Sequence, residues 1–92
     1  VKVIWTKKAQ IALDSIYKYI SEGNEILAKK IIDYIFNAVE TTVKNFPHIG
    51  RTGNVFRTRE YVLSEYPYVV VYTVKNNILH VLKVIHTSMK YP

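Results

Sequence analysis

The sequence predicts an α+β fold of order β-α-α-β-β-β, with an N-terminal helical hairpin packed on one face of a small, mainly antiparallel four-stranded sheet. Two observations carry this. The apolar period is helical from Lys7 to about Lys44, and from Arg57 onward it gives way to alternation and to continuous β-branched and aromatic runs. A third, the pair Asn76-Asn77 between two such runs, marks a tight two-residue hairpin, because asparagine tolerates positive φ.

Each element follows in order. "VKVIWT" (1–6) is a short β-branched and aromatic run and reads as a strand. Ala9, Ala12, Leu13, Ile16 and Ile20 then fall on one helical face, with Thr6 placed as N-cap and Gly23-Asn24 as the stop. A second helix carries Leu27, Ala28, Ile31, Ile32, Ile35, Phe36, Val39 and Val43 on a broad stripe, opposite Asp33, Asn37, Glu40 and Lys44, until Pro47 ends it. The short connection makes the two helices an antiparallel hairpin. "RTREYVLSE" alternates, whereas "YVVVYTV" and "ILHVLKVIH" are nearly unbroken apolar runs. "YVVVYTV" is too apolar to have a face in water, so it is placed centrally under the helices. The opposite sheet face is expected to carry tyrosines and basic residues, and to be, with its edge, the working surface.

Ninety-two residues, 49% hydrophobic with eight tyrosines, suffice for one core, and 1–92 is read as a single domain. The chain has no cysteine, which excludes a disulfide scaffold and Cys-ligated zinc. Three scattered histidines (His48, His80, His86) have no metal-ligand spacing, so neither metal nor cofactor is expected. "VKVIWTKKAQ" does not read as a signal peptide, and no run approaches the roughly 20 apolar residues of a membrane span. A cytoplasmic protein with no membrane partner is the expectation.

The net charge is +6, and residues 51–92 hold six basic residues against only Glu60 and Glu65. Such a bias attracts nucleic acid, an acidic protein or a phosphate-rich surface without choosing among them. "FPHIGRTGNVFRTRE" (46–60) contains all three arginines. Gly50 and Gly53 are expected to permit φ > 0 there, presenting Arg51, Arg57 and Arg59 to a phosphate or carboxylate. The plainer alternative is a solvated basic loop with Arg59 paired to a nearby acid. His86, Lys90 and Tyr91 could join the arginines on a phosphodiester, since RNA cleavage by transphosphorylation needs a base, cationic donors and an acid. Alternatively, His86 caps a strand end and the tail simply packs.

The run "GRTGNVFRTREYVL … YPYVVVYTVKNNILHVLKVIHTSMKYP" resembles the C-terminal half of the RelE/ParE toxin superfamily, with "GRTG", "RTRE" and "VIHTSMKYP" its most specific pieces. The resemblance implies the toxin of a type II toxin–antitoxin module, silenced by a cognate antitoxin in a hetero-oligomer. An exposed strand edge or helical-hairpin groove would suit the antitoxin. RelE-like members are ribosome-dependent mRNA endoribonucleases; ParE-like members poison DNA gyrase. Met89 stands where relatives often carry arginine, and no lysine lies between Lys44 and Lys75, which favours the ParE-like branch. The resemblance makes Arg51, Arg57, Arg59, Lys83 and Lys90 the expected target-binding residues. If the target is mRNA on translating ribosomes, Arg57, Arg59, His86 and Tyr91 form the catalytic set. A nucleic-acid-binding module without toxicity is a further class, but the element order is not that of a double-stranded RNA domain.

Overall fold

The computed structural model describes residues 1–88. Strand β1 (Lys2–Trp5) leads into helix α1 (Lys7–Ser21) and helix α2 (Glu25–Asn37), which runs on into a π-helical stretch, Ala38–Val43. Strands β2 (Arg51–Thr52), β3 (Arg59–Val62), β4 (Tyr68–Lys75) and β5 (Ile78–His86) follow. The sheet has five strands in the order β1-β5-β4-β3-β2; β1 runs parallel to β5 and the other pairs are antiparallel. The expected class and element order therefore hold. The additional strand is the two-residue β2, too short to leave a period in the sequence.

Local chemistry sets the boundaries. Thr6 is extended and its side chain accepts the Ala9 N–H at 3.2 Å, while Asn24 does the same for Leu27 at 3.0 Å, so each helix begins on a side-chain cap. Asn76 (φ 53°) and Asn77 (φ 61°) turn the β4–β5 hairpin, as their sequence predicts. Where one continuous helix was expected up to Pro47, the backbone widens to π pitch after Asn37, whose carbonyl accepts from Thr41 Oγ1 at 2.6 Å.

The core lies between the helices and one sheet face. Ala9, Ile35, Val39, Val43, Val70, Tyr72, Leu79 and Val81 are fully buried there. Each large side chain so buried stabilises the fold by about 1.5–3 kcal/mol. Trp5 stacks on Phe36 (centroids 5.6 Å apart) and its indole N–H donates to Glu40 at 3.2 Å, which fastens β1 to α2. β4 is the middle strand, buried on both faces from Tyr68 to Tyr72, in accord with its unbroken apolar run.

One expectation is corrected. Tyr68 and Tyr72 belong to the core beneath the helices and Tyr61 packs against it. The two-residue period then leaves Val69, Val71 and Ile85 on the opposite face, where they form a separate small cluster. That face carries basic residues but none of the strand tyrosines. The space between sheet and helices needed the larger side chains.

Candidate functional site

The arginine loop is built by backbone closure around two close approaches. The Gly53 N–H donates to the Thr58 carbonyl at 2.8 Å, and the buried Thr58 donates through its N–H and Oγ1 to the Val55 carbonyl at 3.0 and 2.6 Å. These bonds close a tip of residues 53–58 on the β2–β3 hairpin. Neither glycine has positive φ, contrary to the sequence expectation. Gly50 is required instead because a Cβ there would lie 2.7 Å from the Tyr72 hydroxyl and 2.9 Å from its ring, and at Gly53 a Cβ would run into Thr58. The residue in the left-handed region is Arg57, at φ 65°.

The three arginines have three different surroundings. Arg51 Nε donates to Glu60 Oε1 at 2.9 Å, compensating a carboxylate whose side chain is 8% exposed. Arg59 lies across from Tyr72 on the helix-facing side of the sheet, and its Nη1 donates to the carbonyls of Gly50 (2.8 Å) and His48 (3.3 Å). It clamps the loop backbone, where the plainer sequence reading paired it with an acid. Arg57 stands at the tip with its guanidinium 5.2 Å over the Phe56 ring, a cation–π contact, and its carbonyl accepts from Thr73 Oγ1 at 2.7 Å.

The loop exposes large apolar residues along its length: Phe46 (64%) and Ile49 (48%) ahead of β2, and Val55 (39%) and Phe56 (84%) at the tip. An exposed Phe-Arg pair has the composition of a protein-binding hot spot. Sequence reasoning singled out the arginines and missed Phe46, Ile49 and Phe56. The signal was present in the same stretch, in apolar residues interleaved with glycine and arginine where no helical or strand period could bury them.

The expected catalytic set does not come together among the described residues. His86 ends β5 opposite Tyr68, whose ring it meets edge-on at 5.4 Å, and its Nδ1 lies 2.8 Å from Ser88 Oγ. Arg57 is anchored at Thr73, five residues along the same strand from Tyr68 and thus about 17 Å away. Lys83 is exposed in β5; Lys90 and Tyr91 lie outside the described residues. Burial raises the Tyr68 phenol above its usual range, with a smaller contribution from Tyr19. Burial also raises Tyr72, against the lowering effects of its Gly50 hydrogen bond and of Arg59. His48 is exposed in the loop, and His80 is half-buried in β5.

A second feature lies along β5. β1 pairs only with Ile78–Val81, and beyond it no described strand covers the β5 edge. There a groove of about 480 Å³ runs between α1 and β5, lined by Ala12, Ile16, Tyr19, Tyr68, Val84 and Ile85 among others, with Lys83 and His86 also on its walls. No helix among the described residues is long and apolar enough to cross a membrane.

A two-helix layer on a mainly antiparallel sheet, with an arginine loop on one hairpin and an open groove along the C-terminal strand, defines a small α+β protein of the RelE/ParE toxin class. The chain belongs to the family described as the ParE toxin of the type II toxin–antitoxin system parDE, whose model matches residues 3–91. It is 31% identical, over 99% of its length and 93% of the relative's, to a protein of Sinorhizobium fredii named "Putative toxin Y4kP". Among solved structures, a chain of the chromosomal ParDE toxin–antitoxin system from P. aeruginosa matches with a TM-score of 0.82 and 27% identity, over 94% of this chain and 95% of that one.

Proposed function

We propose that this ParE-family toxin arrests growth in the cytoplasm by poisoning DNA gyrase, and that a cognate antitoxin silences it by occupying the groove along β5. The observation that carries the gyrase reading is that Arg57 is anchored at Thr73 and His86 at Tyr68, β4 positions whose backbones stand about 17 Å apart. Transphosphorylation requires a base, an acid and cationic donors within reach of one phosphate. Arg59, the remaining expected catalytic arginine, is engaged by loop carbonyls. The loop is suited to binding rather than bond-breaking: Arg57 is held in a left-handed conformation that costs an ordinary residue about 1–2 kcal/mol, beside an 84% exposed phenylalanine. The target-binding set is then Arg57 with Phe56 at the tip, Arg59 and Arg51 holding the loop, and Lys83 and Lys90 as further cations.

For the antitoxin, the groove offers an apolar floor beside a stretch of β5 that no described strand covers, along which an extended segment can lie. Lys83 favours acidic residues in that segment.

Induced expression with two readouts tests the reading. Lost supercoiling or trapped cleaved DNA with intact mRNA supports gyrase as target. Codon-phased cuts in translated mRNA with unaffected gyrase would replace it with a ribosome-dependent endoribonuclease, and normal growth would leave a binding module.

A further inference from the structure

The charge of this chain is divided between its two layers. The helical segments hold five lysines against four acids, while the strands hold five lysines and arginines against Glu60 alone. Register assigns those cations to faces. Arg59 lies opposite Tyr72 and so faces the helices. Val3 and Trp5 pack on the core, which turns Lys2 and Ile4 to the other face. Lys83 pairs with Val71, and Lys75 follows Val69, Val71 and Thr73 at the same two-residue step. Lys2, Lys75, Lys83 and Arg51 therefore share the sheet face away from the helices, and the one acid there, Glu60, is buried and bonded to Arg51.

From this arrangement we propose that the sheet face away from the helices binds the phosphate backbone of duplex DNA. Lys2 and Lys75 both neighbour Ile78, one on each side, and so stand about 10 Å apart. Lys83 lies in the row of Val71, about 13 Å along the strand from Lys75. All three are exposed, and their spread is well within one turn of duplex, about 34 Å. The choice of duplex follows from what the face lacks. The sheet tyrosines and Trp5 point to the helices, which leaves half-buried His80 as the one strand ring on this face among the described residues, so there is no row of rings on which successive single-stranded bases could stack. The apolar residues central to the face, Val69, Val71 and Ile85, are buried and only Ile4 (38%) and Val62 (43%) expose larger apolar side chains at its margins, so a protein partner finds weaker anchors there than at the Phe-Arg loop tip. Exposed lysines are contacts for phosphates, which position without reading sequence. The choice of DNA over RNA rests on the gyrase reading, in which the toxin meets an enzyme already holding a duplex.

Fluorescence anisotropy of a labelled 25-base-pair DNA duplex, titrated with the full chain over a range of salt, tests this. The Lys2→Gln, Lys75→Gln, Lys83→Gln triple variant is compared with a Lys18→Gln, Lys29→Gln, Lys30→Gln variant of equal net charge altered on the helices. Sheet-face substitution is expected to weaken binding at least tenfold and to lower the slope of log affinity on log salt by about 3, one per phosphate contact, while the helical variant stays within about threefold of the parent. Equal losses in both variants would reduce the effect to net charge and overturn the proposal. So would absence of duplex binding by the parent, or tighter binding of a matched RNA duplex or of polyglutamate. If circular dichroism shows the triple variant unfolded, the Lys2→Gln, Lys75→Gln double variant takes its place, with an expected slope change of about 2. Gyrase inhibition without duplex binding would sink this inference alone; duplex binding without gyrase inhibition would sink the gyrase reading and with it the preference for DNA, leaving the phosphate-binding face.

Discussion

The hydroxyl of Tyr72, in the centre of the sheet, accepts the backbone N–H of Gly50 at 3.0 Å, joining the middle strand to the loop that carries the arginines. The same hydroxyl donates to the Pro47 carbonyl at 2.7 Å, so one fully buried side chain satisfies two loop groups and fixes where the loop leaves the helix. Tyr72→Phe keeps the ring and leaves both partners unsatisfied. A loss of about 1–3 kcal/mol is expected, read in thermal melts as roughly 4–8 °C per kcal/mol. An unchanged melt would mean that the loop is held elsewhere.

The same residue gives the fold an alkaline limit. The Tyr72 and Tyr68 phenols are both raised, chiefly by burial, so near pH 10 the unfolded chain releases their protons before the folded chain does. The unfolded state then binds fewer protons, and stability, complete below about pH 10, falls as pH rises toward the folded values. Denaturant midpoints measured from pH 8 to 11 should fall above pH 10, and less steeply in Tyr72→Phe than in the parent.

Gly50→Ala tests the close approach itself. Its Cβ would lie within 2.9 Å of the Tyr72 hydroxyl and ring, and 3.1 Å from the backbone carbon of Glu60, where little can yield. A substitution that is harmless in an ordinary loop should here cost about 1–3 kcal/mol, as overpacking does in a core. Denaturant titration measures it, and a near-neutral result would show that the loop moves freely away from β4.

Much of this fold was legible because its signals are periodic. The helical stripe from Ala9 to Val43, the continuous run at Tyr68–Val74 and the Asn76-Asn77 turn each imply one arrangement. The strand β2 was not legible, since two residues have no period, and the π-helical stretch retains Val39 and Val43 on the core stripe as an α-helix would. Around the site, composition located the arginine loop but did not reveal what each arginine touches. Arg51 and Arg59 are eight residues apart in sequence, yet one meets a buried carboxylate and the other two carbonyls, a distinction set by which side of a strand each occupies. The roles of the glycines were equally out of reach, because the atoms they must admit belong to Tyr72 and Thr58.

Arg57 and Arg59 should separate by experiment. Arg59→Ala removes the donor to the Gly50 and His48 carbonyls, so about 1–2 kcal/mol of stability should go with any loss of toxicity. Arg57→Asn replaces a left-handed arginine with a residue that tolerates that conformation, so the melting temperature should hold or rise while growth inhibition declines. Parallel growth and melting assays decide between the roles. Full toxicity in Arg57→Asn would remove the tip from the target-binding surface.

The groove along β5 yields a variant in which toxicity and neutralisation part company. Ser15 is exposed on α1 and lines the groove with Tyr19 and Val84. Ser15→Arg places a long side chain in the space proposed for the antitoxin, on a surface position where the fold tolerates change at a cost of about 0.5 kcal/mol or less. The arginine loop is untouched, so growth arrest should persist. Affinity for the cognate antitoxin should fall tenfold or more, equivalent to about 1.4 kcal/mol, and co-expression should no longer restore growth. Calorimetric titration of purified toxin with antitoxin gives the affinity directly. Full rescue at parental affinity would move the antitoxin to another face, for which the exposed Ile11 and Ile26 on the helical hairpin are the next candidates.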